Sequence, residues 1–326
     1  MRIALDAMGT DCAPRSEIGG AVSALEANSE LEVVLVGDER ILAKPLRPYS
    51  KLGRLSVVHA PDRVSPADSP AKALRRWPRS SISVGLGLQA SGDADAFVSA
   101  GSTGAVMAAS LQRLGPLKGV DRPAIGTPFP TEGGLTLVLD IGANVGCKPH
   151  QLVQFARLGA IYMQDLRGVD SPRIGLLNVG AEAEKGTETE QAAHQLLAES
   201  DLNFVGNIEG RDILSYTCDV LVCDGFTGNI LLKFYESVAA FVAHRLADRL
   251  RTNGVSDEVA DLLREFDYAE YGGAPLLGIN GVSVICHGLS SSRAISAAIG
   301  VAARAVRRAM VSHMARDLAQ PTASMA

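Results

Sequence analysis

Short apolar runs rich in Val, Ile and Leu recur along the chain, and most are separated by segments long enough for a helix. This alternation predicts an α/β fold with βαβ units, in which helices cover both faces of a mainly parallel sheet in three layers. The run Leu137-Val138-Leu139 is apolar at every position, which is typical of a parallel strand buried on both sides. The predicted strands lie at residues 2–5, 31–36, 54–59, 96–99, 135–140, 173–178, 219–223 and 282–286.

Polar residues predict where several helices begin. Residues 16–28 and 187–200 both start with Ser or Thr and acidic residues, as helix N-termini do. A long helical pattern over 230–250 and a second one over about 256–266 predict a helical hairpin at about 230–270. We expect this hairpin to be inserted in the α/β body.

The C-terminal part is predicted to form one long helix over about 290–316, followed by a disordered tail at 317–326. The length of 326 residues favours one large α/β domain over 1–316, which can also be divided into two lobes.

Composition narrows the class of protein. The net charge of −5 excludes a general attraction to nucleic acid, so a basic docking site has to be a local patch. The chain has no run of 18 uncharged apolar residues, and its first residues lead straight into a predicted strand, so we expect a cytoplasmic protein. The five cysteines and six histidines are scattered, so we expect free thiols, no metal site and no cofactor.

Four predicted strands are followed by loops that combine glycine with hydroxyl, amide or acidic side chains. In open α/β sheets ligands bind beyond the carboxyl ends of the strands, where glycine gives the backbone room and helix N-termini attract anions. Together the loops predict an anion pocket, although one such loop alone equally fits a plain turn. Neither a Walker A pattern nor G-x-G-x-x-G is present, so a nucleotide site is not supported. The loops are Ala100–Gly104, Asp140–Asn144, Asn178–Gly186 and Asp224–Asn229.

Two side chains at strand ends are candidates for chemistry. Lys185 either balances phosphate charge and stabilises an oxyanion, or is an ordinary solvated lysine. His287 follows the last predicted strand and is either an acid or base, or a structural histidine. Cys223 and Cys286 lie within apolar runs, so we expect both in the core and neither as a nucleophile.

Several motifs together identify a family. The first are D-A-M-G-T-D at 6–11, S-A-G-S-T-G-A at 99–105, and D-I-G-A-N at 140–144 with C-K-P at 147–149. They are followed by G-N-I-E-G-R-D at 206–212, D-G-F-T-G-N at 224–229 and Y-G-G-A-P-L-L-G at 271–278. In this order the motifs resemble the PlsX family of phosphate acyltransferases, and the resemblance covers roughly residues 1 to 310.

The resemblance implies an enzyme that moves a long-chain fatty acyl group from acyl carrier protein to inorganic phosphate. The product, acyl phosphate, would serve phospholipid synthesis through a downstream membrane acyltransferase. The resemblance also implies the fold of phosphotransacetylases and of isocitrate and isopropylmalate dehydrogenases. It implies a homodimer and, for some members, peripheral attachment to the inner face of the membrane.

For that reaction we expect catalytic roles for Lys185, Asn229, His287 and Asp224. Lys185 would reduce the charge of phosphate and stabilise the oxyanion, Asn229 would donate a hydrogen bond, and His287 would relay a proton. The residues expected to bind phosphate or substrate are Gly101, Ser102, Thr103, Gly104, Gly142, Asn144, Gly180 and Gly228.

The chain departs from the family pattern at several positions, which leaves substrate preference open. Thr10 and Cys12 stand where the family usually has Gly and Asn. The other differences are Ser102 for Asn, Gly146 for Asp, Ala181 for Thr, and an Asp of H-G-S-S-D that is missing or displaced near Ser292.

Acyl carrier protein is acidic, so docking requires a local basic patch. Each arginine cluster also fits an ordinary solvated helix face, and the apolar residues between Val255 and Phe266 fit either membrane contact or dimer packing. The candidate clusters are Arg75, Arg76 and Arg79; Arg245, Arg249 and Arg251; and Arg304, Arg307 and Arg308.

Three other functions stay open at this point. A phosphotransacetylase with an acyl-CoA donor such as acetyl-CoA would share the phosphate loops and differ in its donor. A nicotinamide-dependent dehydrogenase of related fold is disfavoured by the absent dinucleotide motif. A non-catalytic scaffold for membrane lipid enzymes would tolerate loss of Lys185 and Asn229.

Overall fold

The computed structural model describes residues 1–65, 68, 75–250 and 271–319, which form two compact units. Unit 1 contains the described residues of Met1–Pro123 and Tyr271–Gln320, and unit 2 contains those of Ala124–Glu270. The expected second arm of the hairpin, with Arg251 and the apolar residues from Val255 to Phe266, lies outside the described residues.

Each unit is built on its own strands, most of them parallel. In unit 1 the spatial order is β3-β2-β1-β4-β11-β10, and only β10 runs antiparallel to its neighbour β11. In unit 2 the order is β5-β6-β9-β7-β8, and only β5 runs antiparallel to its neighbour β6. The strands are β1 (Arg2–Asp6), β2 (Glu32–Gly37), β3 (Leu55–His59), β4 (Ala96–Ser99), β5 (Ala124–Thr131), β6 (Gly134–Leu139), β7 (Ile174–Asn178), β8 (Phe204–Glu209), β9 (Val220–Val222), β10 (Ala274–Leu277) and β11 (Val282–Ile285).

Helices follow most of the parallel strands. In unit 1 they are α1 (Arg15–Ala27), α2 (Glu39–Leu42), α3 (Ser81–Ser91), α4 (Thr103–Arg113), α8 (Ser292–Arg307) and α9 (Met310–Leu318), with a 3₁₀ turn at Arg47–Tyr49. In unit 2 they are α5 (Pro149–Arg167), α6 (Glu188–Ala198) and α7 (Gly225–Leu250), with a 3₁₀ turn at Gly210–Ser215. No helix in the described part of the chain is long and apolar enough to cross a membrane.

The predicted α/β class with a mainly parallel sheet is confirmed, and every strand expected from an apolar run is present. Leu137, Val138 and Leu139 are fully buried, as the doubly apolar pattern of β6 predicts. The sequence pattern missed β5, β8 and β10, because proline and glycine interrupt them and lower strand propensity. The interrupting residues are Pro128 and Pro130 in β5, Gly206 in β8 and Pro275 in β10.

Three expectations about helix ends are wrong. Helix α1 begins at Arg15 behind Pro14, without the side-chain cap expected from Ser16. The expected single helix over 290–316 is divided between α8 and α9, because Ala309 adopts a left-handed backbone conformation with φ 52°. Helix α9 then continues to Leu318, past the point where the tail was expected to begin, and residues 320–326 lie outside the described part.

Other helix predictions agree with the structure. Thr187 caps α6 and forms a capping box with Glu190, as the Ser/Thr-plus-acid pattern predicts. Helix α7 provides the first arm of the expected hairpin and begins at Gly225, five residues before the helical pattern expected from Ile230.

Candidate functional site

Three predicted loops of unit 2 leave the same edge of its sheet. Strands β6, β9 and β7 are parallel neighbours, and Val222 of β9 is in register with both Leu139 of β6 and Leu176 of β7. The loops Asp140–Asn144, Asp224–Asn229 and Asn178–Gly186 therefore begin side by side at the carboxyl ends of the strands. This is the edge at which α/β proteins bind ligands.

A buried carboxylate organises the first of these loops. Asp140 is fully buried, and its Oδ1 accepts hydrogen bonds from the backbone N–H groups of Ile125 at 3.0 Å, Gly142 at 3.3 Å and Ala143 at 3.1 Å. Its Oδ2 accepts from the backbone N of Asn144 at 2.7 Å and from Nδ2 of the same residue at 2.9 Å. Burial raises the pKa of the Asp140 carboxyl, and the donated hydrogen bonds oppose that shift.

Asn144 supports the loop that it ends. Its side chain is buried and Nδ2 donates to Asp140 Oδ2 at 2.9 Å, so it holds the loop in place, and its expected role in phosphate binding stays a prediction. Asn144 therefore acts as a positioning residue. A sequence motif cannot distinguish the two roles, since both require an amide directly after the glycine turn.

The Asp140–Asn144 loop interlocks with the start of α7. The backbone N of Gly225 donates to the carbonyl O of Asn144 at 2.8 Å. A Cβ at Gly228 would collide with the carbonyl O of Asp140, so glycine is required there for close approach. Gly142 has φ 136°, and a Cβ at this position would lie 3.6 Å from the side chain of Asn229. The structure thus brings Gly142, Gly228 and Asn229 together, as the motifs predict.

Asp224 has a structural role at this junction. Its Oδ1 accepts a hydrogen bond from the backbone N of Thr227 at 2.6 Å, which caps the first turn of α7. The carboxylate therefore holds the helix that carries Asn229. Its expected catalytic role stays a prediction.

Lys185 lies in an exposed loop whose backbone is held by amide side chains. Asn178 Nδ2 donates to the carbonyl O of Lys185 at 3.1 Å, and Gln191 Nε2 donates to the carbonyl O of Glu184 at 2.7 Å. A Cβ at Gly180 would lie 2.9 Å from Cγ of Lys185, so Gly180 makes room for the lysine stem. Within the described residues the ammonium group has no ion-pair partner, which leaves it available to an anion.

Unit 1 holds the fourth predicted loop, Ala100–Gly104, in a second set of contacts. Asp6 is buried, accepts from Ser99 Oγ at 2.7 Å, and Ser99 Oγ in turn accepts from the backbone N of Gly101 at 3.0 Å. Burial raises the pKa of the Asp6 carboxyl. Ser102 is the N-cap of α4 but makes no capping hydrogen bond through its side chain, so the Ser102–Thr103 turn keeps donors suited to an anion.

His287 is also in unit 1, where it is exposed directly after β11. Its Nδ1 accepts a hydrogen bond from the backbone N of Leu289 at 3.2 Å. In the neutral ring the proton therefore lies on Nε2, so this nitrogen donates rather than accepts. That geometry suits a hydrogen-bond donor through Nε2, and the expected proton relay by His287 stays a prediction.

The motifs missed one cation beside the first strand of unit 1. Arg63 Nη2 donates to the carbonyl O of Thr10 at 3.1 Å, within the loop that follows β1. The sequence signal was weak, because Arg63 lies four residues beyond the end of β3 in a segment with no glycine pattern.

The burial of two cysteines agrees with the apolar pattern. Cys223 and Cys286 are buried, and burial raises the pKa of the Cys286 thiol to about 12. Among the described residues all five cysteines are free thiols, and no group of side chains is arranged to hold a metal ion.

In unit 1 the carboxylate of Glu17 is buried and hydrogen-bonded to the backbone of Thr10, one of the positions that departs from the family pattern. Glu17 was expected to be an ordinary acidic residue at a helix start, but it is fully buried and its Oε1 accepts from the backbone N of Thr10 at 2.7 Å. Within the described residues, Thr10 Oγ1 and Glu17 Oε2 are buried without hydrogen-bond partners. Burial raises the pKa of Glu17, and the negative charge of Asp6 raises it further.

Replacing Glu17 with glutamine is expected to make the protein more stable at high pH. Because the folded-state pKa of Glu17 is raised, its contribution to stability is complete below the unfolded-state pKa and is lost as pH rises through the folded-state value. The Glu17→Gln variant should therefore gain about 2–4 °C in Tm over the parent protein at pH 8. At pH 4 the gain should disappear.

Thermal melts at pH 4, 6 and 8 measure this difference. Glu26→Gln, on the exposed face of the same helix, is the matched control and should follow the parent protein at every pH. If the two variants have the same pH profile, the burial of Glu17 is not what couples pH to stability.

Comparison with known proteins identifies the family. Residues 1–313 match the family described as "Fatty acid synthesis protein". The chain belongs to this family. It is 47% identical over 318 residues to a phosphate acyltransferase from Desulforamulus reducens, covering 95% of each chain. It is 44% identical over 329 residues to a phosphate acyltransferase from Halothermothrix orenii, covering 98% of each.

The PlsX resemblance is thereby confirmed, and the chain is a phosphate acyltransferase. A non-catalytic scaffold and a nicotinamide-dependent dehydrogenase no longer describe it. The similarity extends over nearly the whole chain.

Solved structures confirm the expected fold. EutD phosphotransacetylase from Staphylococcus aureus matches with a TM-score of 0.62 at 16% identity, covering 94% of each chain. A branched-chain phosphotransacylase from Enterococcus faecalis V583 matches with a TM-score of 0.61 at 14% identity, covering 94% of this chain and 99% of its own. At these identities the likeness concerns the fold alone.

Proposed function

We propose that this phosphate acyltransferase takes a long-chain acyl group from acyl carrier protein and delivers it to inorganic phosphate for phospholipid synthesis. The observation that carries the proposal is the interlocked pair of loops in unit 2, in which Asn229 lies beside the glycine turn at Gly142. Lys185, in a loop from the same edge of the sheet, has no ion-pair partner in the part of the chain that the structure describes. Such a donor set suits a tetrahedral anion.

In the proposed reaction a phosphate oxygen attacks the carbonyl carbon of the thioester. A C–O bond forms, the carbonyl oxygen becomes an oxyanion, and the C–S bond then breaks to release the carrier thiolate, which takes up a proton. Phosphate is itself the nucleophile, so the enzyme needs neither an activated serine nor an activated cysteine. This agrees with the burial of Cys223 and Cys286.

The enzyme's contribution is to position two partners and to stabilise negative charge. Lys185 reduces the charge of phosphate and stabilises the oxyanion, while Asn229 donates a hydrogen bond. Asp140 and Asn144 hold the loop in place. We also retain phosphate binding at Gly101–Gly104 and proton transfer by His287 as predictions for unit 1, each to be tested by substitution.

The donor distinguishes this function from that of a phosphotransacetylase. Purified enzyme with saturating phosphate is given palmitoyl acyl carrier protein, palmitoyl-CoA or acetyl-CoA at equal concentrations, and thiol release is followed. We expect kcat/KM to be highest with the acyl carrier protein. A higher kcat/KM with acetyl-CoA would contradict the proposal and identify a phosphotransacetylase.

Docking of an acidic carrier would need exposed arginines. Arg304 and Arg307 are exposed on α8 and Arg308 is exposed at its C-cap, although Arg307 Nη2 also lies 3.7 Å from Glu30 Oε2. Arg75, Arg76, Arg79 and Arg245 are exposed as well, whereas the side chains of Arg249 and Arg251 lie outside the described residues. The exposed clusters remain candidates for the carrier surface.

The homodimer and the peripheral membrane contact stay predictions. Helix α7 supports the first, because Phe234, Val238 and Phe241 lie on one face at helical spacing and are all exposed. Light scattering of the purified enzyme tests it directly, and a monomer mass at micromolar concentration would contradict it. Binding to anionic vesicles tests the membrane contact.

A further inference from the structure

Exposed apolar side chains surround the predicted phosphate loops of unit 2. Val179 is 82% exposed, Val145 is 74% exposed and Phe226 is 58% exposed. Val179 and Phe226 lie within the loops Asn178–Gly186 and Asp224–Asn229, and Val145 directly follows the loop Asp140–Asn144. Valine and phenylalanine are costly to leave in water, so this placement requires a reason beyond the fold.

The backbone places these side chains on neighbouring strand ends. The hydrogen bond from Gly225 N to Asn144 O, at 2.8 Å, makes Val145 and Phe226 neighbours across the two loops. Strand β7 is the next parallel neighbour of β9, about 4.8 Å away, so Val179 begins one strand across from them. Ile230, one helical turn after Phe226, is 53% exposed and extends the apolar surface along α7.

Binding of phosphate alone does not require an exposed apolar surface. An anion needs donors and positive charge, and an acetyl group has a single methyl carbon to cover. A fatty acyl chain, in contrast, gains affinity with each methylene that leaves water. It must also begin at the thioester carbon, where phosphate attacks, so an apolar surface continuous with the phosphate loops is where the chain would start.

We propose that Val145, Val179, Phe226 and Ile230 form the surface that receives the acyl chain and sets the preference for long chains. This inference rests on the proposed acyl transfer to phosphate. It adds that the loops accept a long apolar acyl chain next to the carbon that phosphate attacks.

The test is chain-length selectivity of a Phe226→Ala variant. The donors are the butyryl and palmitoyl forms of acyl carrier protein, assayed with saturating phosphate. We expect kcat/KM for the palmitoyl donor to fall about tenfold and that for the butyryl donor to change less than twofold. Val179→Ala should shift selectivity in the same direction by about threefold. Leu214→Ala, an apolar residue of unit 2 that is 42% exposed, is the control and should leave the ratio unchanged.

The outcomes separate this inference from the proposed function. If the parent enzyme uses neither carrier donor, the proposed function fails. If the parent enzyme is active but Phe226→Ala lowers kcat/KM equally for both donors, or for neither, these side chains do not form the acyl-chain surface. Light scattering on the same variant tests whether a second copy of the chain covers Phe226 instead. If the variant loses the dimer and its chain-length selectivity is unchanged, Phe226 belongs to the contact between two copies.

Discussion

Replacing Lys185 with alanine is expected to lower kcat about 100- to 1,000-fold, the usual cost of losing a group that stabilises an oxyanion. The fold should survive, because the loop is held through its backbone by Asn178 and Gln191 and not by the lysine side chain. The Tm of Lys185→Ala should therefore stay close to that of the parent enzyme. Lys185→Arg keeps the positive charge and should recover part of the lost turnover.

Steady-state kinetics with saturating phosphate and acyl donor, together with a thermal melt, measure both expectations. Lys118→Ala is the matched control, since Lys118 is an exposed lysine in a loop of unit 1. Near-normal turnover of Lys185→Ala would remove this residue from the mechanism. A large drop in Tm would instead give it a structural role.

Replacing Asp140 with asparagine is expected to destabilise unit 2 by about 3 kcal/mol or more. Oδ1 and Oδ2 both accept hydrogen bonds, so an NH₂ group at either position faces backbone N–H donors. At the Oδ2 position the new amide would oppose the N–H of Asn144, and that buried donor would lose its partner. Turnover should fall as well, because the displaced loop carries Gly142, which lies beside Asn229.

Thermal and urea unfolding of Asp140→Asn, followed by kinetics on the folded fraction, check this result. Asp170→Asn, at an exposed position of the same unit, should change stability by less than about 0.5 kcal/mol. If Asp140→Asn melts like Asp170→Asn, the hydrogen bonds around Asp140 do not hold the loop.

Much of the fold follows from local patterns, and the failures have physical reasons. The run Leu137-Val138-Leu139 predicts a doubly buried strand because burial is a property of the residues themselves. Strand β5 was missed because Pro128 and Pro130 lower local strand propensity, while pairing with β6 maintains the strand. The break at Ala309 has no sequence signal, since alanine favours helix, yet this residue has a left-handed backbone with φ 52°.

The places of the candidate glycines and of Lys185 at strand ends could be predicted from the sequence, their roles stay predictions, and the supporting contacts were harder to predict. Gly228 could be expected from the need for close approach, and Lys185 from its position after a strand. The burial of Asn144 could not be foreseen, because the sequence does not reveal which side of a loop meets the core. Glu17 looked like an ordinary acid at a helix start for the same reason.

The most direct test of acyl transfer to phosphate measures both products of one turnover. Purified enzyme is mixed with palmitoyl acyl carrier protein, with and without inorganic phosphate, while free carrier thiol is titrated and acyl phosphate is trapped with hydroxylamine. The proposed acyl transfer predicts one acyl phosphate for every thiol released, and no release above background without phosphate. Carrier release that does not depend on phosphate, or no release from an intact substrate, would contradict it.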